Sequence, residues 1–376
     1  MKMKVVIAID SFKGSLTSLE AGEAVKRAIL RRDSAAEVIV RPLADGGEGT
    51  VEAMSAGLGG ESVEAVVRGP LGEPVRAKYC IVNGSTAVIE MAEAAGLPLV
   101  PADKRDPMNT TTYGVGELIR DAISRGCRSF IVGIGGSSTN DGGVGMLSAL
   151  GFEFFDKDGN AISEGAKGLE RLVRISAKNA APELSECTFR VACDVTNPLC
   201  GERGCSAVYG PQKGATPETV ALMDAWLSSY AKTAREVFPN ADPEYPGSGA
   251  AGGLGFAFMT FLGASLESGI KIILDETRLE EYIENADVVV TGEGRLDGQT
   301  VMGKAPIGVA RLAKKHGKRV IAFAGAVTAD AEACNEHGID AFFPIVRGIT
   351  TLDEALKKEN ATKNLEAAAY QVFGLI

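Results

Sequence analysis

Short, wholly apolar runs that end in polar, glycine-bearing loops recur along this chain, and a helical pattern follows each. Val5-Val6-Ile7-Ala8-Ile9 ends in Asp10-Ser11-Phe12-Lys13-Gly14-Ser15, and Val38-Ile39-Val40 leads to Ala44-Asp45-Gly46-Gly47-Glu48-Gly49-Thr50. Ile131-Val132-Gly133-Ile134 opens into Gly135-Gly136-Ser137-Ser138-Thr139-Asn140-Asp141-Gly142-Gly143. Late in the chain, Asp287-Val288-Val289-Val290 runs into Thr291-Gly292-Glu293-Gly294-Arg295-Leu296-Asp297. A strand that is apolar on both faces is buried on both, the mark of a parallel sheet covered by helices. In open sheets of that kind, ligands bind outside the carboxyl ends of the strands, where such loops gather. The repetition restricts the chain to an α/β architecture with a binding site made of loops.

Residues 4–9, 18–32 and 36–41 read as a βαβ unit, with Thr17 or Ser18 as N-cap and Glu20 in the first helical turn. Further strands are expected at 128–134, 287–291, 319–324 and 341–346, and helices at 114–125, 303–316, 328–337 and 352–372. Residues 61–90 read differently: β-rich stretches are separated by turn residues, and Asn83-Gly84 is a strong hairpin signal. Residues 151–250 mix short strands, helices and Pro/Gly loops. The expected fold is a doubly wound, mostly parallel sheet domain of residues 1–62, 107–150 and 280–376. A mixed α+β domain of residues 63–106 and 151–279 is inserted into it, with the active site in the cleft between the two.

The 376 residues suffice for two domains, and 45% apolar with 23% charged residues is ordinary for a soluble globular protein. A formal net charge of −10, with no basic stripe to offset it, argues against nucleic acid as the main partner. No apolar run reaches membrane-spanning length, and Met1-Lys2-Met3-Lys4 runs straight into a strand too short for a signal peptide. Seven cysteines without CxxC spacing, beside two histidines, disfavour zinc and fit a reducing cytoplasm. Nothing in the sequence chooses between a monomer and a homodimer.

Glycine lets backbone N–H groups approach an anion closely, so residues 133–145 read as a phosphate-holding loop. Gly135, Gly136 and Gly142 would supply that backbone, Ser137, Ser138 and Thr139 further donors, and Asp141 a metal ligand. The helix expected over 142–150 would favour negative charge at its N-terminus. Asp45, Asp194 and Asp297 are the strongest candidates for a carboxylate that orients a hydroxyl or holds Mg²⁺, and Asp194 would end a strand. The ordinary role of any single loop Asp is a turn or an N-cap. Lys13, with Asp10 and Ser11 in the same loop, and Arg295 could bind charged oxygens. Gly298-Gln299-Thr300-Val301-Met302-Gly303-Lys304-Ala305 fails as a P-loop because Ala305 stands where a hydroxyl must hold Mg²⁺. Gly247-Ser248-Gly249-Ala250-Ala251-Gly252 has the dinucleotide spacing but no preceding strand, so it reads as a phosphate-side or domain-hinge loop, or as simple close packing.

In order along the chain, the Asp10–Ser15, Ala44–Thr50 and 133–145 loops resemble the bacterial type-1 glycerate kinase family. The likeness continues through Cys193-Asp194-Val195-Thr196-Asn197-Pro198-Leu199, Tyr209-Gly210-Pro211-Gln212-Lys213-Gly214-Ala215 and Thr291–Asp297, and it covers essentially the whole chain. The resemblance implies a cytoplasmic enzyme of glycerate catabolism, a glycerate 2-kinase that phosphorylates D-glycerate with ATP and Mg²⁺ to give 2-phosphoglycerate. For such a reaction the residues themselves suggest catalytic roles for Asp194, Asp45, Asp297 and Lys13 and substrate binding by Ser11, Asp10 and Arg295. Nucleotide would lie on residues 135–142 and metal on Asp194 or Asp141. The alternatives are 3-kinase regiochemistry, an NAD(P)-dependent hydroxy-acid reductase, and a non-catalytic binding protein.

Overall fold

Most of the apolar runs become strands, but they sort into two separate sheets. The structure, a computed structural model, describes residues 2–44 and 49–376. In chain order the strands are β1 (Lys4–Ile7), β2 (Glu37–Val40), β3 (Glu61–Arg68), β4 (Pro74–Val82), β5 (Thr86–Glu90) and β6 (Ser129–Gly133). There follow β7 (Glu153–Phe155), β8 (Arg174–Ser176), β9 (Thr188–Ala192), β10 (Ser265–Glu267), β11 (Val288–Leu296), β12 (Arg319–Val327) and β13 (Ala341–Pro344). The chain divides into two compact units, one holding both chain ends and residues 52–59, the other residues 60–269 with 49–51.

In the unit of the chain ends, five strands pair in the order β13-β12-β11-β1-β2, every pair parallel. Counted along the chain this order is 2-1-3-4-5, a doubly wound sheet whose direction of winding reverses between β1 and β11. The helix Ser18–Arg32 connects β1 to β2. Its start is set by a capping box: Glu20 N–H donates to Thr17 Oγ1 at 3.3 Å, and Thr17 N–H donates to Glu20 Oε2 at 3.1 Å. Its apolar stripe, Ala21, Ala24, Val25, Ala28 and Ile29, shares one core with Val5, Ile7, Val290 and Phe323 of the sheet. Leu365, Ala369 and Val372 of the helix Lys358–Val372 belong to the same core.

The other unit is built on a mixed sheet in the order β10-β9-β6-β5-β4-β3. Strands β5, β6, β9 and β10 are parallel, whereas β3, β4 and β5 form an antiparallel meander. Asn83 and Gly84 carry φ of 52° and 73°, the left-handed pair that a tight hairpin between β4 and β5 needs. Beneath the sheet, Phe152, Phe154, Tyr230 and Phe261 pack ring against ring, with centroids 5.4 Å apart for Phe152–Phe261 and 6.2 Å for Tyr230–Phe261. Among the described residues, no helix is long and apolar enough to cross a membrane.

The grouping of residues 107–150 with the chain ends needs correction. The run Phe130-Ile131-Val132 does form a parallel strand, but its neighbours are β5 and β9, in the mixed sheet. An apolar run signals burial on both faces and cannot say which sheet buries it. Here the flank of β1 is already occupied by β11 and β2.

Candidate active site

The winding reversal beside β1 collects several of the sequence candidates in one unit. Asp10 follows β1, and its N–H donates to Gly292 O of β11 at 2.9 Å, which carries the β1–β11 pairing past the strand end. The next residues close a small loop: Phe12 N–H donates to Leu16 O at 2.8 Å and Leu16 N–H to Phe12 O at 3.1 Å. Phe12 and Leu16 are buried as anchors, leaving Lys13 and Gly14 exposed at the tip. Ser11 is half-buried, and its N–H donates to Asp10 Oδ1 at 2.7 Å. Gly294 of β11 passes this loop so closely that a Cβ there would lie 3.4 Å from Lys13 N.

Beyond Gly294 the charges alternate. Glu293, buried, accepts the Thr300 hydroxyl on Oε1 at 2.8 Å, and its Oε2 lies 3.7 Å from Lys304 Nζ. Asp297 faces two cations, with Oδ2 3.4 Å from Arg295 Nε and Oδ1 3.8 Å from Lys304 Nζ. It also caps its own turn, accepting Gln299 N–H at 3.0 Å. Lys304 is thus the cation shared by two carboxylates, while Ala305 is fully buried. Glu293 stood out in the sequence only as one loop acid among several. Its pairing with Lys304 depends on the turn at residues 297–303, which the sequence pattern does not describe.

The glycine-rich loop after β6 belongs to the other unit, and most of it turns inward. Gly135 and Gly136 are exposed, Gly136 at φ 75°, whereas Ser137, Ser138, Thr139, Asn140 and Asp141 are all buried. Ser138 donates its hydroxyl to Ala95 O at 2.9 Å, and Thr139 Oγ1 is enclosed without a partner. The Ser138 hydroxyl hydrogen is thus spent inside the protein. Gly142 (φ 64°) lies against the Tyr230 ring, where a Cβ would stand 2.9 Å away, so it is a packing glycine.

Asp141 is not open to a metal ion. It is fully buried and accepts Thr112 N–H and Thr112 Oγ1–H at 2.8 Å each, Gly143 N–H at 3.0 Å and Gly145 N–H at 3.2 Å. Burial pushes its pKa up, and these four hydrogen bonds oppose the rise. The helix that follows is short, Val144–Ala149, and the negative charge at its start is the chain's own carboxylate. The expectation of a helix N-terminus open to phosphate is therefore replaced by an internal cap.

Behind the same loop lies a residue that no sequence argument singled out. Lys213 is 2% exposed, and its ammonium donates to Ser137 Oγ and to Thr139 O, both at 2.7 Å. Burial lowers its pKa to about 8 against the pull of Cys205 and Asp141. Asn140 is tied to the neighbouring helix by Nδ2 donating to Ser206 Oγ at 2.8 Å.

Asp194 stands exposed just past β9, where Oδ1 accepts Gly269 N–H at 3.1 Å. Asp45 lies outside the described residues. The glycines at 247–252 are packing devices: a Cβ on Gly249 would overlap Pro198 O, and one on Gly252 would overlap Thr139 O. Away from these loops, Glu280, Glu284 and His316 bring three ligand atoms within 4.8 Å of one another. Lys315 Nζ already neutralises Glu280 Oε1 at 2.6 Å, which disfavours a cation there.

An α/β protein with glycine turns, carboxylates and cations at the ends of its parallel strands has the build of a small-molecule phosphotransferase. The chain is similar over its whole length to proteins of one such group. The model of the "Glycerate kinase family" matches residues 5–376. "Glycerate 2-kinase" of Escherichia coli (strain K12) is 49% identical over 94% of this chain and 93% of its own length. "Glycerate kinase" of Haemophilus influenzae is 47% identical over 98% of each chain. A crystal structure from Salmonella typhimurium LT2, described as a "putative glycerate kinase 2", superposes with a TM-score of 0.92 at 47% identity, covering 100% of this chain and 98% of that one. The chain belongs to the glycerate kinase family, phosphotransferases with an alcohol group as acceptor.

Proposed function

We propose that the chain phosphorylates D-glycerate at its 2-hydroxyl with ATP, releasing 2-phosphoglycerate and ADP, as a cytoplasmic step in glycerate catabolism. The observation that carries this reading is the alternation of Glu293, Arg295, Asp297 and Lys304 beside the Lys13 loop, at the winding reversal of a parallel sheet. A small hydroxy acid needs cations for its carboxylate and an anion for its hydroxyl proton, and both are present there. The name of the Escherichia coli relative favours the 2-hydroxyl.

On this reading Lys13 and Arg295 engage the substrate carboxylate, with Ser11 and Asp10 orienting the loop that presents Lys13. One of Asp297, Asp194 and Asp45 accepts the hydroxyl proton as the oxygen attacks the terminal phosphorus and ADP departs. For the nucleotide phosphates, the exposed corner Gly135-Gly136 with Ser137 fits, because backbone N–H groups without side chains can approach an anion there. For Mg²⁺, Asp194 fits as an exposed carboxylate at a strand end and Asp141 does not. When bound, the ion would neutralise charge on the phosphate oxygens. Seven free cysteines support a reducing compartment. The packed glycines at 247–252 count against a nicotinamide reductase.

The test is phosphorus NMR of the products after incubation with Mg-ATP and D-glycerate. A phosphomonoester signal split into a doublet by one carbon-bound proton, together with ADP, is expected. A triplet would assign position 3, and intact ATP would remove the kinase reading.

A further inference from the structure

We propose that Lys213 is the positioning residue of the nucleotide loop: its buried ammonium compels Ser137 to present its hydroxyl hydrogen to a phosphate oxygen. This inference rests on the reading that the Gly135–Ser137 corner receives the nucleotide phosphates. Hydrogen-bond polarity fixes the direction of the hydroxyl. An ammonium has three donors and no lone pair, so Ser137 Oγ, 2.7 Å away, can only accept from it. The hydroxyl's own hydrogen is then committed to some other acceptor. Among the described residues, no acceptor takes a hydrogen bond from Ser137 Oγ. Thr139 O, also 2.7 Å from Nζ, takes a second ammonium hydrogen and anchors the inner limb of the same loop. Ser137 is 7% exposed and directly follows the two exposed glycines, so a ligand on that corner can reach it.

A neutral amine would behave differently. It gains a lone pair, Ser137 can donate inward to it, and the outward donor is lost. Burial makes that change reachable, since it brings the Lys213 pKa down to about 8. The ionisable groups that act on it are Cys205 on the helix Cys205–Tyr209 and Asp141 on the loop. Burial holds the Cys205 thiol up at about 11, so it stays neutral while Lys213 titrates.

The test is the dissociation constant of Mg-ATP, by calorimetry, for the wild type, Lys213→Met and Ser137→Ala between about pH 7.5 and about pH 9.5, bracketing the Lys213 transition. Thermal midpoints are recorded alongside. Wild-type affinity is expected to fall about fivefold or more across the range, as a charge-assisted hydrogen bond is lost. Both variants should bind weakly and without that pH dependence while remaining folded, as their cooperative thermal transitions show. If either folded variant keeps the wild-type affinity or the wild-type pH profile, the proposal fails. Should Lys213→Met not fold, Ser137→Ala alone decides it, because its alkaline slope must vanish. If the wild type binds no Mg-ATP at any pH while still phosphorylating glycerate from another donor, the nucleotide reading falls and takes this inference with it. An unchanged slope in a wild type that does bind overturns the inference alone.

Discussion

Gly252 and Thr139 meet backbone to backbone: a Cβ on Gly252 would overlap Thr139 O, and Gly252 O accepts Gly142 N–H at 2.9 Å. Two glycine-rich segments that each suggest phosphate binding in the sequence are here locked against one another. The contact holds the inner limb of the 133–145 loop rigid and uses up the glycines that a dinucleotide would need.

Gly252→Ala should therefore damage the fold. The position has φ 68°, where a side chain is strained, and the new methyl has no space. A loss of about 2–4 kcal/mol is expected. Trp226, the one tryptophan of the chain, lies in the helix Pro217–Val237 of the same unit, and its fluorescence during urea unfolding would report the change. Wild-type stability in this variant would show that the two segments separate easily.

Asp141→Asn tests the internal cap. An amide can offer one acceptor oxygen to the four donors that now converge on the carboxylate, and its NH₂ would face N–H groups. The expected cost is about 2–4 kcal/mol. Tight Mg²⁺ dependence of the wild-type melting temperature that this variant abolishes would instead argue for a metal at Asp141.

Lys304→Met leaves Glu293 and Asp297 without their shared cation. Repulsion between those carboxylates and an anionic substrate should lower kcat/KM for glycerate by roughly 10- to 100-fold. The Mg-ATP dissociation constant should change less than the glycerate KM. Equal loss for both ligands would place Lys304 with the nucleotide instead.

Asp194→Asn is expected to reduce turnover at least about tenfold. Its circular dichroism should match the wild type, since the residue is exposed and its amide oxygen can still accept Gly269 N–H. Near-normal turnover would remove Asp194 from the catalytic carboxylates and leave Asp297 and Asp45.

Stability and pH are linked through Lys213. Its pKa in the folded chain, about 8, lies below the ordinary 10.5, so between those values the unfolded chain binds more protons than the folded one. Stability from this group must then rise with pH across that window, by up to about 3 kcal/mol, while nucleotide affinity falls. Urea midpoints of the wild type against Lys213→Met, near the two ends of the window, would measure it. A difference between the two proteins that shrinks with falling rather than rising pH would reverse the sign and refute the depressed pKa.

Local patterns in this sequence already specified a good deal. Alternating apolar runs and helical stripes placed the Ser18–Arg32 helix, the Asn83-Gly84 hairpin and the strands on either side of β1, because short-range sterics and burial periodicity decide those elements. The same reasoning put Asp10, Ser11 and Lys13 just past β1, whereas β11, expected to end at residue 291, runs on to Leu296, so that Arg295 lies within the strand and only Asp297 past it; the two segments meet at the winding reversal of the sheet. Tertiary structure decided the rest. Which sheet received β6, whether Asp141 faced an ion or four N–H and O–H donors, and that Lys213 stood behind Ser137 depend on segments far apart in the chain. A carboxylate, a hydroxyl or a glycine has the same identity in a binding loop as in a packed interior. Only the neighbours that folding supplies determine whether its hydrogen bonds are made inside the protein or kept for a ligand.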